Sequence, residues 1–182
     1  QLALAALGGV AIVANWLLLF AAYSHASISI ATAVYNTQPF MLVGLGALFL
    51  HERLTWMKLG WLALSFSGVL MIVLARPAAG PGGDYLVGVL LALGAAFFYA
   101  VAAFVAKSLK GVPPQLIALV QLLVGTLLLL PAAWRGGADL APATWTLLVM
   151  MGVVHTGLMY ILLYGAIQKL PTTLTGALSF IY

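Results

Sequence analysis

Cysteine is absent from this sequence, and charged side chains are scarce. Only 5% of the 182 residues are charged, whereas about a quarter are charged in an ordinary soluble domain. Without cysteine, the chain has neither a disulfide framework nor a thiolate metal site. Because 65% of the residues are apolar, the few charges cannot cover a globule with hydrated surface. The composition therefore excludes a water-soluble domain.

Long apolar runs occupy most of the chain. Cutting at charges, prolines and glycine clusters leaves six runs long enough to span a bilayer as helices, which takes about 20 residues, and a seventh run of about half that length. The predicted helices are 2–23, 28–50, 55–74, 85–106, 115–134, 143–168 and 172–182. The alternation typical of spanning β-strands is absent. The sequence predicts an all-α polytopic protein in the lipid bilayer, with both ends of this chain cut from a longer protein.

Basic residues separate the connections into two sets. The connections after predicted helices two, four and six hold Arg53, Lys58, Lys107, Lys110 and Lys169. Short loops rich in Lys and Arg stay in the cytoplasm, which predicts a multi-pass protein of the inner (plasma) membrane with these loops inside. The connection 75–84, ARPAAGPGGD, faces outside and has the composition of a linker. No basic patch with interleaved aromatics is present, so nucleic acid is not an expected partner.

An ungapped offset of 144 aligns two stretches of the chain, 8–33 and 152–177. The residues shared by both stretches are Gly8, Val10, Leu18, Leu19, Ala22 and Ala33 in the first. The offset pairs helices predicted to cross in opposite directions, as in the inverted repeats of transporters. We therefore predict two halves of five helices each, of which about seven helices are present here. Residues 1–75 hold the last three helices of the first half, 76–84 form an extracytoplasmic linker, and 85–182 hold four helices of the second half, the fourth truncated.

The stretch HERLTWMKLGWLALSFSGVLMIV, which begins at His51, resembles the EamA-type members of the drug/metabolite transporter superfamily. Residues 52–54 match the family's short cytoplasmic Gly-Glu-Arg-Leu turn, Gly68 matches the late glycine of the next helix, and His51 replaces the usual glycine of the turn. Pro39, in the middle of the preceding helix, also fits. The resemblance covers essentially the whole chain. It implies export of small metabolites such as amino acids, without nucleotide hydrolysis and without a cofactor.

Predicted helix two carries polar residues at i, i+3, i+4 and i+7, namely Thr32, Tyr35, Asn36 and Pro39. This spacing places them on one side of the helix. Polar groups facing lipid would stay unsatisfied, so this side faces neighbouring helices or a water-filled path. The offset of 144 sets Ser179 against Tyr35 and Tyr182 against Gln38, where transporter sites usually lie. Helix packing and a substrate site both remain open for this face.

Aromatic residues form a second constellation, in which Trp16 and Phe20 align with Tyr160 and Tyr164 at the same offset. A cavity walled by these rings would suit planar or apolar solutes such as aromatic amino acids, although the rings could also serve only packing. The predicted substrate-binding residues are Trp16, Phe20, Thr32, Tyr35, Asn36, Gln38, Tyr99, Gln121, His155, Tyr160, Tyr164, Ser179 and Tyr182.

His155 is the one titratable side chain well inside a predicted span. A lone histidine in a membrane helix more often bonds to a neighbouring helix than carries protons, so proton coupling is left open.

Glu52 and Arg53 lie at the cytoplasmic mouth, where capping of helix ends is favoured over gating. Small residues at every fourth position of helix four predict a close helix contact; they are Gly88, Ala92, Ala96 and Ala100.

The leading functional hypothesis is a secondary transporter that exports a small metabolite by alternating access around a midplane cavity. A membrane-embedded enzyme is disfavoured, because the three histidines and three carboxylates form no cluster of acids, bases or metal ligands in the sequence. No catalytic, cofactor-binding or metal-binding residue is therefore predicted. The alternative is a non-transporting scaffold or a subunit of a larger membrane complex.

Overall fold

A computed structural model describes residues 1–52, 54–74, 85–136 and 141–178. Regular structure in these residues is entirely helical. The elements are α1 (Leu2–His25), α2 (Ile28–Tyr35), α3 (Gln38–Leu50), α4 (Trp56–Leu74), α5 (Tyr85–Ser108), α6 (Pro114–Gly136), α7 (Pro142–Met150), a π-helical segment (Met151–Leu158), α8 (Met159–Lys169) and α9 (Thr172–Leu178). The predicted linker 76–84 lies outside the described residues.

Within the described residues, five stretches are long and apolar enough to cross a membrane. They are Leu2–His25, Ile28–Leu50, Tyr85–Ser108, Pro114–Trp134 and Pro142–Lys169. The last stretch is one continuous rod, because the residues that join α7, the π segment and α8 keep helical backbone angles. The prediction of an all-α polytopic membrane protein is confirmed.

The α1–α5 contact is the most extensive in the bundle. It depends on the small residues of α5, since Gly88, Ala92, Ala96 and Ala100 are all buried. A methyl group at Gly88 would lie 2.6 Å from the Cβ atom of Ala26, which follows α1. A close helix contact of the predicted kind is therefore present at Gly88, where α5 meets the end of α1.

The second predicted helix is not continuous. Its chain turns at Asn36 and Thr37, where the Thr37 N–H and hydroxyl both donate to the Val34 carbonyl, at 3.0 and 2.7 Å. Pro39 has no N–H to continue the helical pattern back to Tyr35. The prediction of one helix over 28–50 is thus wrong in this respect, and the span is divided into α2 and α3.

Two helix junctions share the spacing of the internal sequence match. Helix α1 ends at His25 and α8 ends at Lys169, while α2 begins at Ile28 and α9 begins at Thr172. Each pair of positions is 144 residues apart. The residues after the two helix ends, Ala26 and Leu170, are both extended, with ψ angles of 160° and 151°. The two junctions therefore have the same local conformation as well as aligned sequences.

Candidate functional site

A cavity of about 350 Å³ lies between α1, α6 and the rod that contains the π segment. We call it the α1–α6 cavity. Its wall is formed by Ile12, Val13, Trp16, Ala118, Gln121, Leu122, Gly125, Thr126, Leu129, Gly152, Thr156 and Tyr160. Most of this wall is apolar, and the side-chain polar groups come from one amide, two threonines and two aromatic residues. This composition is typical of a site for a small organic molecule.

Aromatic rings from α1 and α8 meet at the α1–α6 cavity. The ring centroids of Trp16 and Tyr160 are 6.4 Å apart, and those of Tyr160 and Tyr164 are 5.3 Å apart. Tyr160 and Tyr164 are buried and lie one helical turn apart, so they share one face of α8. Phe20, in contrast, is 65% exposed and packs against Tyr23. The structure therefore brings together three of the four predicted aromatic residues and places Phe20 on the outer surface.

Gln121 presents an unsatisfied amide group beside these rings. Its side chain is 4% exposed, and its Oε1 atom accepts a hydrogen bond from the Tyr164 hydroxyl. Its Nε2 atom has no hydrogen-bond partner among the described residues. Helix α1 approaches Gln121 closely because Gly8 and Gly9 lack side chains: a methyl group at Gly9 would lie 3.0 Å from the Gln121 Cα atom. Buried polar groups normally find partners, so this amide nitrogen is exceptional.

A smaller cavity of about 120 Å³ lies between α3, α5, α8 and α9. We call it the α3–α9 cavity, and Gln38 and Tyr99 are among its lining residues. Gln38 is 2% exposed, and its Oε1 atom has no hydrogen-bond partner among the described residues. Tyr35 packs against Tyr99 with ring centroids 6.1 Å apart. The predicted site residues are thus divided between two cavities.

The remaining predicted residues occupy other positions. Thr32 and Asn36 are half-buried, and the Asn36 N–H donates to the Thr32 carbonyl within their own span. His155 lies on the exposed side of the π segment, whereas Thr156 of the same segment lines the α1–α6 cavity. Ser179 and Tyr182 lie outside the described residues. The π segment was not predicted, although such segments are frequent at functional sites.

Glu52 joins three separate parts of the chain at one end of the bundle. Its carboxylate lies 3.3 Å from the Lys107 ammonium at the end of α5. It also accepts hydrogen bonds from the Thr172 N–H, at 3.1 Å, and from the Thr172 hydroxyl at the start of α9. The Lys107 ammonium donates in turn to the Leu170 carbonyl. We call these four residues the Glu52 cluster.

The turn after α3 directs Glu52 into this cluster. His51 has φ 53° and ψ 33°, the left-handed conformation that glycine adopts most easily. The N–H groups of His51 and Glu52 both donate to the Gly46 carbonyl, which closes the end of α3. Gly46 also allows α9 to approach, since a methyl group there would lie 2.8 Å from the Thr172 side chain. The tight turn typical of the resembled family is therefore retained without its glycine.

The electrostatics of Glu52 follow from these contacts. Partial burial raises the pKa of its carboxyl, but the hydrogen bonds from Thr172 and the charge of Lys107 outweigh burial and hold the pKa below its ordinary value. Glu52 is therefore ionised at neutral pH. The expected helix cap is present, because Glu52 caps the first turn of α9. The expected partner Arg53 lies outside the described residues, and Lys107 pairs with Glu52.

Gln168 fastens the end of α8 to the turn between α5 and α6. Its Nε2 atom donates to the carbonyls of Leu109 and Val112, both at 3.1 Å. Together with the bond between Lys107 and Leu170, this contact holds the α8–α9 junction against the end of α5.

Across the described ranges, no group of three His, Asp or Glu side chains could hold a metal ion.

Comparison with known proteins agrees with this architecture. Residues 1–74 and 86–182 match the EamA-like transporter family, so the chain belongs to that family. A Bacillus subtilis (strain 168) protein described as the uncharacterized transporter YxxF is 28% identical over 174 residues, which cover 95% of this chain and 56% of the relative. A solved crystal structure superimposes with a TM-score of 0.82 at 20% identity, covering 97% of this chain and 62% of that one. This chain therefore spans less than two thirds of the length of either protein.

Proposed function

We propose that this chain forms the central part of a secondary transporter that exports a small metabolite, aromatic amino acids included, by alternating access. The observation that carries the proposal is the α1–α6 cavity. It brings the rings of Trp16 and Tyr160 together with Gln121 and two threonines, between helices that are long and apolar enough to span the membrane. Membership in the EamA-like transporter family supports the same class of activity.

The size and chemistry of the α1–α6 cavity suit one small solute. Its volume of about 350 Å³ falls in the range of small-molecule sites, roughly 300–1,000 Å³. Trp16 and Tyr160 offer ring faces and edges to a planar group.

The proposed mechanism requires two halves that move against each other, with residues 1–75 in the first, 76–84 as a linker, and 85–182 in the second. The matched junctions after α1 and α8 support an inverted repeat of this kind. The offset of 144 also relates Trp16 to Tyr160, whose rings are in contact. Equivalent residues of two halves can touch only near the axis that relates them. We therefore propose that this axis passes beside the α1–α6 cavity.

The Glu52 cluster would close one end of the transport path. Glu52 belongs to the proposed first half, whereas Lys107 and Thr172 belong to the second. Rocking of the halves about a central site must separate contacts of this kind on one side of the membrane. The neighbouring basic residues Lys110 and Lys169 are exposed and favour a cytoplasmic location for this end. In this proposal the described conformation is closed towards the cytoplasm.

Flux through liposomes that contain the full-length protein tests the proposal. Labelled tryptophan, threonine and a nucleoside serve as probes, each with and without a pH gradient. We expect saturable flux of one probe, reduced at least tenfold by Trp16→Ala because the ring wall of the cavity is lost. Phe20→Ala is the matched control, since Phe20 lies one turn further along α1 but on the outer surface; its flux should stay within twofold of wild type.

Two outcomes would count against this proposal. Equal loss of flux in the Trp16→Ala and Phe20→Ala variants would show that the α1–α6 cavity is not the solute site. Absence of flux for all three probes, from protein shown to be folded, would favour the alternative of a non-transporting scaffold or subunit. A dependence of flux on the pH gradient would add proton coupling, which is otherwise left open.

A further inference from the structure

A groove of about 420 Å³ lies between α4 and α9 and shares no lining residue with the α1–α6 and α3–α9 cavities. We call it the α4–α9 groove. It is lined by Lys58, Trp61, Pro171, Thr173, Leu174 and Ala177. The two helices are in contact beside it, since a methyl group at Gly176 would lie 3.6 Å from the side chain of Leu62. Trp61 and Leu174, however, are 60% and 45% exposed, so the groove opens on the outer surface of the described bundle.

The outer surface beside the α4–α9 groove is apolar. Helix α4 presents large side chains there, and Trp56, Met57 and Leu64 are all exposed. On a polytopic membrane protein, a large exposed apolar surface of this kind is a membrane contact. The groove therefore borders the region that acyl chains occupy.

Polarity changes along the α4–α9 groove. Lys58 lies in the first turn of α4, and Thr173 lies in the first turn of α9. Trp61 and Ala177 follow about one turn further into the same two helices, on the same faces. Helix α9 begins at the Glu52 cluster, so the polar residues lie towards that end of the bundle. The groove thus has a half-buried ammonium at the bundle end and apolar side chains further in.

The charge at this end of the bundle is positive. Lys110 and Lys169 are exposed here, whereas the negative charge of Glu52 is paired with Lys107. In the cytoplasmic orientation proposed for this end, these lysines meet a leaflet rich in anionic phospholipids, which basic side chains attract. Indole rings also settle at the depth of the headgroups. An anionic phospholipid therefore matches the groove both in charge, at Lys58, and in the direction of its polarity.

We propose that the α4–α9 groove binds one anionic phospholipid of the cytoplasmic leaflet. The lipid phosphate would lie beside the Lys58 ammonium, at the end of the groove where Thr173 also lies. An acyl chain would lie along Trp61, Leu174 and Ala177. A soluble anion would match only the polar end of this groove, and a lipid without net charge would lack the attraction to Lys58. The proposal does not depend on the proposed transport function.

Binding of lipids to the purified full-length protein tests the proposal. Phosphatidylglycerol and phosphatidylcholine with identical acyl chains are titrated separately into the detergent-solubilised protein, and bound lipid is counted by native mass spectrometry. We expect the first phosphatidylglycerol to bind about fivefold more tightly than phosphatidylcholine, the gain expected for one lysine at an anionic headgroup. Lys58→Met should bring the two affinities within about twofold of each other, whereas Lys58→Arg, which keeps the charge, should keep the preference.

Two further variants locate the site. Lys169→Met removes an exposed lysine at the same end but outside the groove, so it should keep the preference for phosphatidylglycerol. Ala177→Phe places a ring in the apolar part of the groove and should weaken the first bound lipid of either kind. Thermal unfolding shows whether each variant is folded, and the three lysine variants decide the outcome if Ala177→Phe is not.

Three results would overturn the proposal. Equal binding of the two lipids to the wild type is one, and it is also the result expected if another segment of the full-length protein fills the groove. Equal losses in Lys58→Met and Lys169→Met would assign the preference to surface charge in general. Displacement of phosphatidylglycerol by soluble glycerophosphate would show that a free phosphate is recognised instead of a lipid. The expected lipid preference in a protein without flux would support this site and refute only the proposed function.

Discussion

Removing the negative charge of Glu52 should loosen the end of the bundle where three segments meet. Glu52 binds the Lys107 ammonium and both donors of Thr172, so one side chain connects the α3–α4 connection, the end of α5 and the start of α9. Glu52→Gln keeps an oxygen that can accept from Thr172 but removes the charge opposite Lys107. Glu52→Ala removes both. Comparison of the two variants separates the ion pair from the helix cap.

The expected magnitude follows from the burial of the two partners. Lys107 is 5% exposed, whereas Glu52 is 23% exposed. Breaking a fully buried ion pair costs about 3–5 kcal/mol, but water can reach Glu52 and reduce that cost. We therefore expect a loss of about 1–2 kcal/mol for Glu52→Gln and about 2–3 kcal/mol for Glu52→Ala. For about 150–250 residues, 1 kcal/mol corresponds to about 2–4 °C of Tm, and the shift is smaller for a longer full-length protein.

Thermal unfolding of the full-length protein in detergent, followed by tryptophan fluorescence, measures these losses. A double-mutant cycle with Lys107→Met tests the coupling. Because Lys107→Met removes the buried charge that needs Glu52, the double variant Glu52→Gln/Lys107→Met should lose less Tm than the two single losses combined. Lys169→Met, which removes an exposed lysine, is the control and should move the Tm by less than about 2 °C.

The pH dependence provides an independent check on Glu52. Its folded-state pKa lies below the ordinary value of 4.5, so its contribution to stability is present above that value and is lost as the pH falls through the folded-state pKa. The Tm difference between wild type and Glu52→Gln should therefore narrow as the pH is lowered below 4.5. Additive Tm losses in the double-mutant cycle, or a difference that stays constant with pH, would refute the reasoning.

Two further predictions concern the left-handed residue after α3 and the glycines within that helix. His51→Gly should raise the Tm by the equivalent of about 1 kcal/mol, because His51 holds a left-handed conformation that is costly for a side chain; a lower Tm in the same thermal assay would show that the His51 side chain contributes contacts of its own. Gly46→Ala should lower the Tm by pushing Thr172 away, whereas Gly44→Ala, whose added methyl group meets nothing within 4 Å, should be neutral or stabilising. Equal effects of the two alanine variants would contradict the close α3–α9 contact.

The helices and the buried small-residue face of α5 could be predicted because a lipid bilayer permits few backbone conformations. Backbone groups in lipid must be satisfied within a helix, so apolar run length alone indicated the spans. The small-residue face of α5 was visible as a four-residue period from Gly88 to Ala100, and the structure buries all four of these residues. These features depend on local sequence, which is why no tertiary information was needed.

The arrangement of the candidate site could be predicted only in part. Trp16 and Phe20 are one turn apart on α1, yet Trp16 lines a cavity and Phe20 is exposed. Residues one turn apart share a helix face, so the sequence of α1 alone cannot show which of the two rings its neighbouring helices cover. The ion pair between Glu52 and Lys107 could not be predicted from the sequence either. The two residues are distant in sequence and meet only when the bundle is assembled.

The number of residues in the π segment sets the rotation of α8 about its axis, and therefore the direction in which its aromatic side chains point. A π-helical stretch accommodates an extra residue without interrupting the rod, and one residue of register in an α-helix corresponds to a rotation of about 100°. Deleting a single residue within Met151–Leu158 would restore α-helical winding and turn α8 about its axis. Tyr160 and Tyr164 would then leave the side that faces Trp16 and Gln121. The side chain that α8 contributes to the cavity wall thus depends on the length of the π segment as much as on Tyr160 itself.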